Sequence, residues 1–169
     1  MIKTYVIDTN VLIQAPYAIE CFEENNLVLP LVVLEELDGL KKAEGEKGAN
    51  ARAAVRKLES YRQKGDLLQG VKLPGGGILR IEKNFVQVEL PQDIPDDKPD
   101  NRILKVCKGL AETEKEGQVI LVTKDIVLRL KAQILGIRAE DFERERISED
   151  DAQYTGRTEI YFPEEKVKE

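Results

Sequence analysis

The 169-residue sequence contains no histidine and no tryptophan, and only two cysteines. Without histidine, Ser-His-Asp and Cys-His catalysis, histidine-ligated zinc and imidazole acid–base chemistry are excluded. Any hydrolytic chemistry must then use carboxylates, lysines, hydroxyl groups or a metal ion. The aromatic content of 5% gives no platform of stacked rings from which to predict nucleic-acid binding.

The sequence also has no apolar run long enough to cross a membrane, and Met1-Ile2-Lys3-Thr4 leads into a strand rather than resembling a signal peptide. Cys21 and Cys107 lie in apolar helical patterns without metal-ligand spacing, which favours buried thiols of a cytoplasmic protein. The length suits one domain, which we place at residues 1–147, followed by an acidic linker or C-terminal extension at residues 148–169.

Negative charge is concentrated at one end of the chain. The net charge is −6, and residues 139–169 contain eleven acids and five bases, so the rest of the chain is neutral. Residues 41–64 contain eight bases and three acids. A neutral body with a basic segment is compatible with a phosphate-backbone ligand. The candidate phosphate-binding residues are Lys41, Lys42, Arg52 and Arg56.

Strands and helices alternate along the sequence, which predicts an α/β fold with a mainly parallel central sheet. Alternating apolar residues predict a β-hairpin insertion around 71–90, with a turn near residues 83–84. Strands are predicted at residues 5–8, 27–29, 119–122 and 137–142, helices beginning near residues 11, 17, 31, 49, 100 and 125, and a loop at residues 44–48.

Four acids fall at equivalent places in this pattern. Asp8 ends the first strand, and Asp125 follows the strand at 119–122. Glu36 lies in the helix after the second strand, and Asp100 begins the helix after a Pro/Asp-rich loop. Because ligands of parallel sheets gather at the carboxyl ends of the strands, we expect these acids to lie close together. Clustered carboxylates repel one another and need cations, and oxygen ligands favour Mg²⁺ or Mn²⁺.

Each acid also has a simpler structural interpretation. Asp8, Asp100 and Asp125 could cap helices, and Glu36 could belong to a solvated helix face. A phosphatase of the haloacid-dehalogenase type also begins with a strand ending in aspartate, but it uses Asp-x-Asp, and Asn10 occupies the second acidic position here.

Four segments of the sequence contain the four acids. They are Val-Ile-Asp-Thr-Asn-Val-Leu (6–12), Pro-Leu-Val-Val-Leu-Glu-Glu-Leu-Asp (30–38), Asp-Asn-Arg-Ile-Leu (100–104) and Val-Thr-Lys-Asp (122–125). Together they resemble the PIN domain of metal-dependent ribonucleases. The resemblance spans roughly residues 1–142, and its closest likeness is to the N-terminal PIN domain of PIN–PhoH ATPase fusions. That subgroup is indicated by residues 35–41, the hairpin insertion and Tyr-Thr-Gly at 154–156.

The resemblance implies a three-layer α/β/α fold and a Mg²⁺- or Mn²⁺-dependent endoribonuclease acting on single-stranded RNA. It assigns the catalytic metal ligands to Asp8, Glu36, Asp100 and Asp125, with Glu36 preferred to Glu35 because it directly precedes a leucine. It further implies that Asn10 and Thr123 orient the carboxylates or a water, with Asp97 as an additional acid nearby.

The same resemblance implies a homodimer and a fused P-loop ATPase as partners. No G-x-x-x-x-G-K-[ST] motif occurs in the sequence, which favours an excised N-terminal domain or a stand-alone relative. The alternative to a nuclease is a catalytically weak RNA-binding or regulatory module that serves the ATPase. The residues do not distinguish RNA from DNA, since both present the same phosphodiester.

Overall fold

The computed structural model describes residues 2–85, 87–113 and 118–142. Within these ranges the chain forms one six-stranded sheet, five α-helices and a 3-10 helix at Pro16–Glu20. The strands are β1 (Thr4–Ile7), β2 (Asn26–Pro30), β3 (Val71–Lys72), β4 (Ile78–Glu82), β5 (Val119–Val122) and β6 (Arg138–Glu140). The helices are α1 (Thr9–Gln14), α2 (Leu31–Leu40), α3 (Gly45–Arg62), α4 (Pro99–Thr113) and α5 (Ile126–Ile134).

The sheet has the strand order β3-β4-β2-β1-β5-β6, and every pair except β3–β4 is parallel. The chain moves outward from β1 through β2 to β4, and then crosses back to β5 on the other side of β1. The order therefore reverses between β1 and β5. In open α/β sheets the crevice at such a reversal, outside the carboxyl ends of the strands, is where ligands bind.

The core lies on both faces of the sheet. The central strands β1 and β5 are almost wholly buried, as fully apolar strands of a parallel sheet must be. Helices α1, α2 and α3 pack against one another. Because parallel crossovers are right-handed, these three helices occupy one face of the sheet, and α4 and α5 occupy the other.

The predicted mainly parallel α/β fold is confirmed. The strand at Val119–Val122 has the predicted bounds, and α5 ends before Gly136, whose φ of +77° suits glycine. The loop predicted at residues 44–48 is wrong, because α3 already begins at Gly45, with Glu44 as its N-cap residue. Both glycines of this segment suit the start of the helix, because Gly45 adopts a φ of +82° and a Cβ atom on Gly48 would lie 1.8 Å from Ala43 O.

The predicted hairpin is present, but it is shorter than expected. Strands β3 and β4 pair antiparallel across a glycine-rich turn closed by a 2.8 Å hydrogen bond from Leu73 N to Gly77 O. The turn predicted near residues 83–84 is therefore wrong, and no strand follows β4 among the described residues up to α4. After Glu82 the chain leaves the sheet, and Phe85 adopts a φ of +50° as it turns toward α4.

Two further predictions concern the ends and the surroundings of the chain. The domain boundary at 147/148, the acidic extension and Tyr-Thr-Gly at 154–156 lie outside the described residues. None of the helices in the described ranges combines the length and apolar character that a membrane span requires.

The two cysteines differ in burial. Cys107 is fully buried, as predicted, whereas Cys21 is only half-buried.

Candidate active site

Asp8 lies at the carboxyl end of β1, where the strand order reverses. Its backbone N–H donates to Val122 O of β5 at 3.0 Å, so the ladder between the two strands continues to this residue. Its side chain is 5% exposed, and Oδ2 accepts a 2.8 Å hydrogen bond from Thr123 Oγ1. Asp8 occupies the N-cap position of α1, but its carboxylate makes none of the hydrogen bonds by which a side chain caps a helix.

The environment of Asp8 disfavours its negative charge. Burial is the largest cause and raises the pKa of Asp8 from 3.8 to about 6. The hydrogen bonds from Thr123 and from the Thr9 backbone lower the pKa, but only in part. The charges of Asp100 and Glu36 raise it further, so both carboxylates lie near enough to repel Asp8.

Glu36 is placed by α2, which begins directly after β2. The side chain is half-buried, whereas the neighbouring Glu35 is exposed. Oε1 of Glu36 accepts a hydrogen bond from Thr9 Oγ1, which belongs to the first turn of α1 and is itself buried. The residue after Asp8 thus orients Glu36, and the helix-face interpretation does not fit a carboxylate with this partner.

Asp100 lies in the first turn of α4, where a negative charge interacts favourably with the helix dipole. The next residue, Asn101, is 1% exposed and holds this helix terminus in position. Its Nδ2 donates to Pro95 O at 2.6 Å, and its Oδ1 accepts from Lys131 Nζ of α5 at 3.0 Å. The loop before α4, the start of α4 and α5 are therefore joined through one buried amide.

Asp125 is held next to Thr123. The Asp125 N–H donates to Thr123 Oγ1 at 3.0 Å, and the same hydroxyl donates to Asp8, so Thr123 links the two acids. Oδ1 of Asp125 accepts from Val127 N at 2.9 Å, which confirms its predicted role as the N-cap of α5. Capping uses one carboxylate oxygen and leaves the second for another ligand.

The structure thus brings Asp8, Glu36 and Asp100 into electrostatic contact and joins Asp125 to them through Thr123. The donors are carboxylates only, which suits Mg²⁺ or Mn²⁺, and their mutual repulsion calls for a cation. Among the described residues, no three acidic or cysteine side chains are close enough to hold one ion. A shared ion would require the carboxylates to rotate toward one another.

Two predicted site residues are not part of this cluster. Asn10 is exposed on α1, and Asp97 is exposed in the loop before α4. Neither forms a hydrogen bond with the four acids in the described part of the chain. Thr123, by contrast, has the predicted role of orienting a carboxylate, since its hydroxyl contacts Asp8 directly.

The four predicted phosphate-binding residues have different surroundings. Lys41 forms an ion pair with Asp38 at 2.7 Å, and Arg52 donates to Lys41 O at 2.7 Å and so holds the connection between α2 and α3. Lys42 and Arg56 are exposed and form no ion pair with another described residue.

Comparison with known families agrees with this geometry. The family model of the PIN domain matches residues 5–143, which include all four acids. The chain belongs to the PIN domain family. PIN domains are nuclease-type domains that generally depend on divalent metal ions.

The PIN domain is also similar to curated bacterial proteins named Protein PhoH2. It is 46% identical to the protein of Bacillus subtilis over 98% of the chain, and 36% identical to that of Thermobispora bispora over 98%. A third relative, from Mycolicibacterium smegmatis, is 38% identical over 94% of the chain. The chain spans 36–38% of the length of these relatives.

A solved structure supports the fold independently. A domain of a functionally unknown protein from Methanocaldococcus jannaschii matches with a TM-score of 0.51 and 21% identity. The match covers 83% of this chain and 91% of that domain. At this identity the likeness concerns the fold alone.

Three residues near the acids of the PIN domain were not predicted. Thr9 orients Glu36, and Asn101 orders the start of α4. Lys105 is 7% exposed and pairs with Asp96 at 2.6 Å, which lowers the pKa of that carboxyl and secures the loop before α4. Asn101 and Lys105 could have been recognised in the sequence, because they are polar residues on the otherwise apolar face of α4.

Proposed function

We propose that this PIN domain is a Mg²⁺- or Mn²⁺-dependent endoribonuclease that cleaves phosphodiester bonds of single-stranded RNA. The observation that carries the proposal is the buried carboxylate of Asp8, which two further acids repel and which contacts no compensating cation among the described residues. A carboxylate in these surroundings is costly to keep ionised unless a cation binds it. Family membership supports a nuclease.

In this proposal, Asp8, Glu36, Asp100 and Asp125 hold the ions. When bound, divalent ions supply an activated water and a counter-charge for the leaving oxygen of the phosphodiester. Thr123 holds Asp8 in place by donating to Oδ2, and the carboxylate has further lone pairs that can bind the ion. Thr9 performs the same task for Glu36. Fixing the carboxylates in advance reduces the reorganisation needed during the reaction.

The RNA would be held by exposed cationic side chains. Helix α3 packs against α1 and α2, the helices that follow Asp8 and carry Glu36. Lys42, which follows α2, and Arg56, which lies on α3, are exposed, and we assign phosphate binding mainly to them. Single-stranded RNA is preferred because an unstructured strand can bend its backbone toward a recessed cluster of acids.

The partners and the compartment belong to the same proposal. The relatives named PhoH2 are more than twice as long as this chain, so a further domain, which we propose to be a P-loop ATPase, accompanies the PIN domain in a full-length protein. We also propose a homodimer and a cytoplasmic location. The fully buried Cys107, which needs no oxidising environment, is consistent with that compartment.

A pair of adjacent glutamates provides a matched test of the catalytic assignment. Glu36→Gln removes the charge of a proposed ligand, whereas Glu35→Gln removes an exposed charge one residue away on the same helix. We expect Glu36→Gln to reduce Mn²⁺-dependent cleavage of an unstructured, end-labelled RNA by about 10²-fold or more, since even the partners of metal ligands contribute 10–100-fold. Glu35→Gln should cleave like the wild type.

Equal rates for the two variants would refute the assignment of Glu36. Cleavage that continues in excess EDTA would refute metal dependence itself. Replacing the RNA with a DNA strand of the same sequence measures the preference for RNA, and faster cleavage of the DNA would contradict the proposed substrate.

The second candidate function is an RNA-binding or regulatory module that serves the ATPase and turns over weakly. It is favoured by the separation of the carboxylates, because no three of them among the described residues are placed to hold one ion. Calorimetric titration with Mn²⁺ and measurement of RNA affinity separate the two candidates. Tight RNA binding without cleavage at saturating Mn²⁺ would favour the module.

A further inference from the structure

A cavity of about 540 Å³ opens beside the carboxyl end of β4. One wall is the loop before β3, which contributes Leu68 and Gln69. The other wall is the segment that leaves β4, which contributes Asn84, Phe85 and Gln87. A 2.9 Å backbone hydrogen bond joins β4 to the loop, so the two walls are fixed to each other.

The register of the sheet places this cavity at the same edge as the acids. Val6 pairs with Val28, so two residues further along, Asp8 and Pro30 fall in one row. Pro30 pairs in turn with Glu82, the last residue of β4. Neighbouring strands are about 4.8 Å apart, so the end of β4 is roughly 10 Å from the end of β1. A ligand that extends along this edge from Asp8 would reach the cavity next.

The polar groups of the cavity are amides rather than charges. Gln69, Asn84 and Gln87 each provide two N–H donors and a carbonyl acceptor. Oδ1 of Asn84 is buried and has no hydrogen-bond partner among the described residues. A buried acceptor without a partner is uncommon in native proteins, and a rotation of the Asn84 side chain that turned Oδ1 into the cavity would let a ligand's donor satisfy it.

Apolar surface adjoins these amides. Leu68 is 57% exposed, which is high for a leucine, and the half-buried ring of Phe85 contributes a flat surface. The ring is held from behind, because a Cβ atom built on Gly109 of α4 would lie 2.3 Å from Phe85 Cδ1. Only a glycine allows the ring to approach α4 this closely. The wall that carries Phe85 is thus fixed by packing.

The charges around the cavity argue against a phosphate as its occupant. Among the described residues that line it, Lys83 is the one cation. Glu82, which also lines the cavity, carries a negative charge that is paired with Arg80 at 3.1 Å. A phosphate group would meet one lysine and one carboxylate, whereas a nucleobase is neutral and offers donors and acceptors at its edge and apolar surface on its faces.

We propose that this cavity binds one unstacked base of the RNA strand, next to the phosphodiester that lies at the four acids. The inference rests on the proposed nuclease function, and it adds a site that recognises a base to one that binds the backbone. Asn84 and Gln87 contact the edge of the base, and Leu68 and Phe85 contact its faces. Sequence-specific recognition of RNA generally uses single-stranded bases that are stacked and hydrogen-bonded in this way.

The test is a scan with abasic nucleotides. A short unstructured RNA is prepared with a single abasic site at each position in turn, and binding to the wild type is followed by fluorescence anisotropy in Ca²⁺. We expect one position at which removing the base weakens binding by about ten-fold, the contribution of a stacked base. In Asn84→Ala the intact RNA should bind about ten-fold more weakly, and the abasic site at that position should cause no further loss.

The controls separate the cavity from general effects. Gln133→Ala removes an exposed amide on α5, away from the cavity, and should retain the wild-type profile. Gln87→Ala, at an exposed position, should reproduce the effect of Asn84→Ala if the latter does not fold. A flat abasic profile in the wild type would overturn the proposal, as would an unchanged base dependence in both cavity variants.

Cleavage measured on the same oligonucleotides distinguishes this inference from the function on which it rests. Cleavage in Mn²⁺ with a flat abasic profile overturns the base site and leaves the nuclease in place. A single sensitive position without cleavage supports the base site and refutes the nuclease. The absence of any RNA binding overturns both.

Discussion

Replacing Asp8 with asparagine should stabilise the metal-free protein while abolishing its metal-dependent activity. The carboxylate is buried, and its pKa rises from 3.8 to about 6 in the folded state. At pH 7 the group is therefore still ionised, but its ionisation costs more free energy in the folded protein than in the unfolded chain. Asparagine has nearly the same shape, can still accept the hydrogen bond from Thr123, and carries no charge to desolvate.

The magnitude and its pH dependence follow from the two pKa values. Their difference corresponds to roughly 3 kcal/mol, the upper limit for the gain of Asp8→Asn in free energy of unfolding at pH 7. Because the pKa is raised on folding, the folded state binds the proton more tightly between about pH 4 and pH 6, and the wild type loses stability as pH rises through that range. The advantage of the variant should be full above pH 6 and should disappear below pH 4.

Urea unfolding in EDTA at pH 4, 5, 6 and 7 measures this difference, with Asp93→Asn as the control at an exposed acid in a loop. Adding Mn²⁺ should stabilise the wild type by mass action and should stabilise Asp8→Asn much less. A variant that is less stable than the wild type at pH 7 in EDTA would refute the view that the Asp8 charge is unfavourable. Retained cleavage activity would refute its role as a ligand.

Three further predictions use matched pairs of variants. Asp125→Ala removes the cap of α5 and should lower the free energy of unfolding by about 1 kcal/mol. Asp125→Asn should retain stability but lose Mn²⁺-dependent cleavage. Equal activity of Asp125→Asn and the wild type would contradict this prediction. Arg52→Ala should lose about 0.5–1 kcal/mol in urea unfolding because it frees two loop carbonyls. Arg56→Ala should leave stability unchanged and reduce the slope of RNA affinity against salt by about 0.7, and an unchanged slope would exclude a phosphate contact. Gly109→Ala should destabilise the protein by about 1–3 kcal/mol because the ring of Phe85 occupies the space of the new methyl group. The methyl group of Gly39→Ala would meet nothing within 4 Å, so this variant should stabilise the protein by roughly 0.4–1 kcal/mol. Equal effects at the two glycines would contradict the packing.

The parts of the fold predicted correctly from the sequence depend on local signals. The run Val119–Val122 is apolar at every position, and Asp125 and Gly136 mark the two ends of the following helix. The hairpin shows the limit of such signals. Alternation continues as far as residue 90, but the strand ends at Glu82, because Phe85 packs against α4 instead of extending the sheet.

The parts of the site that were not predicted depend on contacts between distant segments. Thr9 and Glu36 are 27 residues apart, and Asn101 and Lys131 are 30 residues apart. No local pattern pairs such side chains, because their meeting depends on which helices pack together. The positions of the acids were accessible for a different reason. Asp8 and Asp125 follow strands, Asp100 begins a helix and Glu36 lies in the helix that follows β2, and these elements can be located in the sequence.

Helix capping alone does not account for Asp8. The residue occupies an N-cap position, yet its carboxylate makes no capping hydrogen bond, and serine, threonine or asparagine would occupy that position without a buried charge. The cost of roughly 3 kcal/mol is a substantial part of the 5–15 kcal/mol by which domains are typically stable. The surrounding strands can sustain it, because Ile7 and Leu121 are fully buried beside it and hold the strand end in place. A divalent ion would remove the cost by neutralising the charge, and Glu36 and Asp100, which increase the cost in its absence, would then become favourable neighbours.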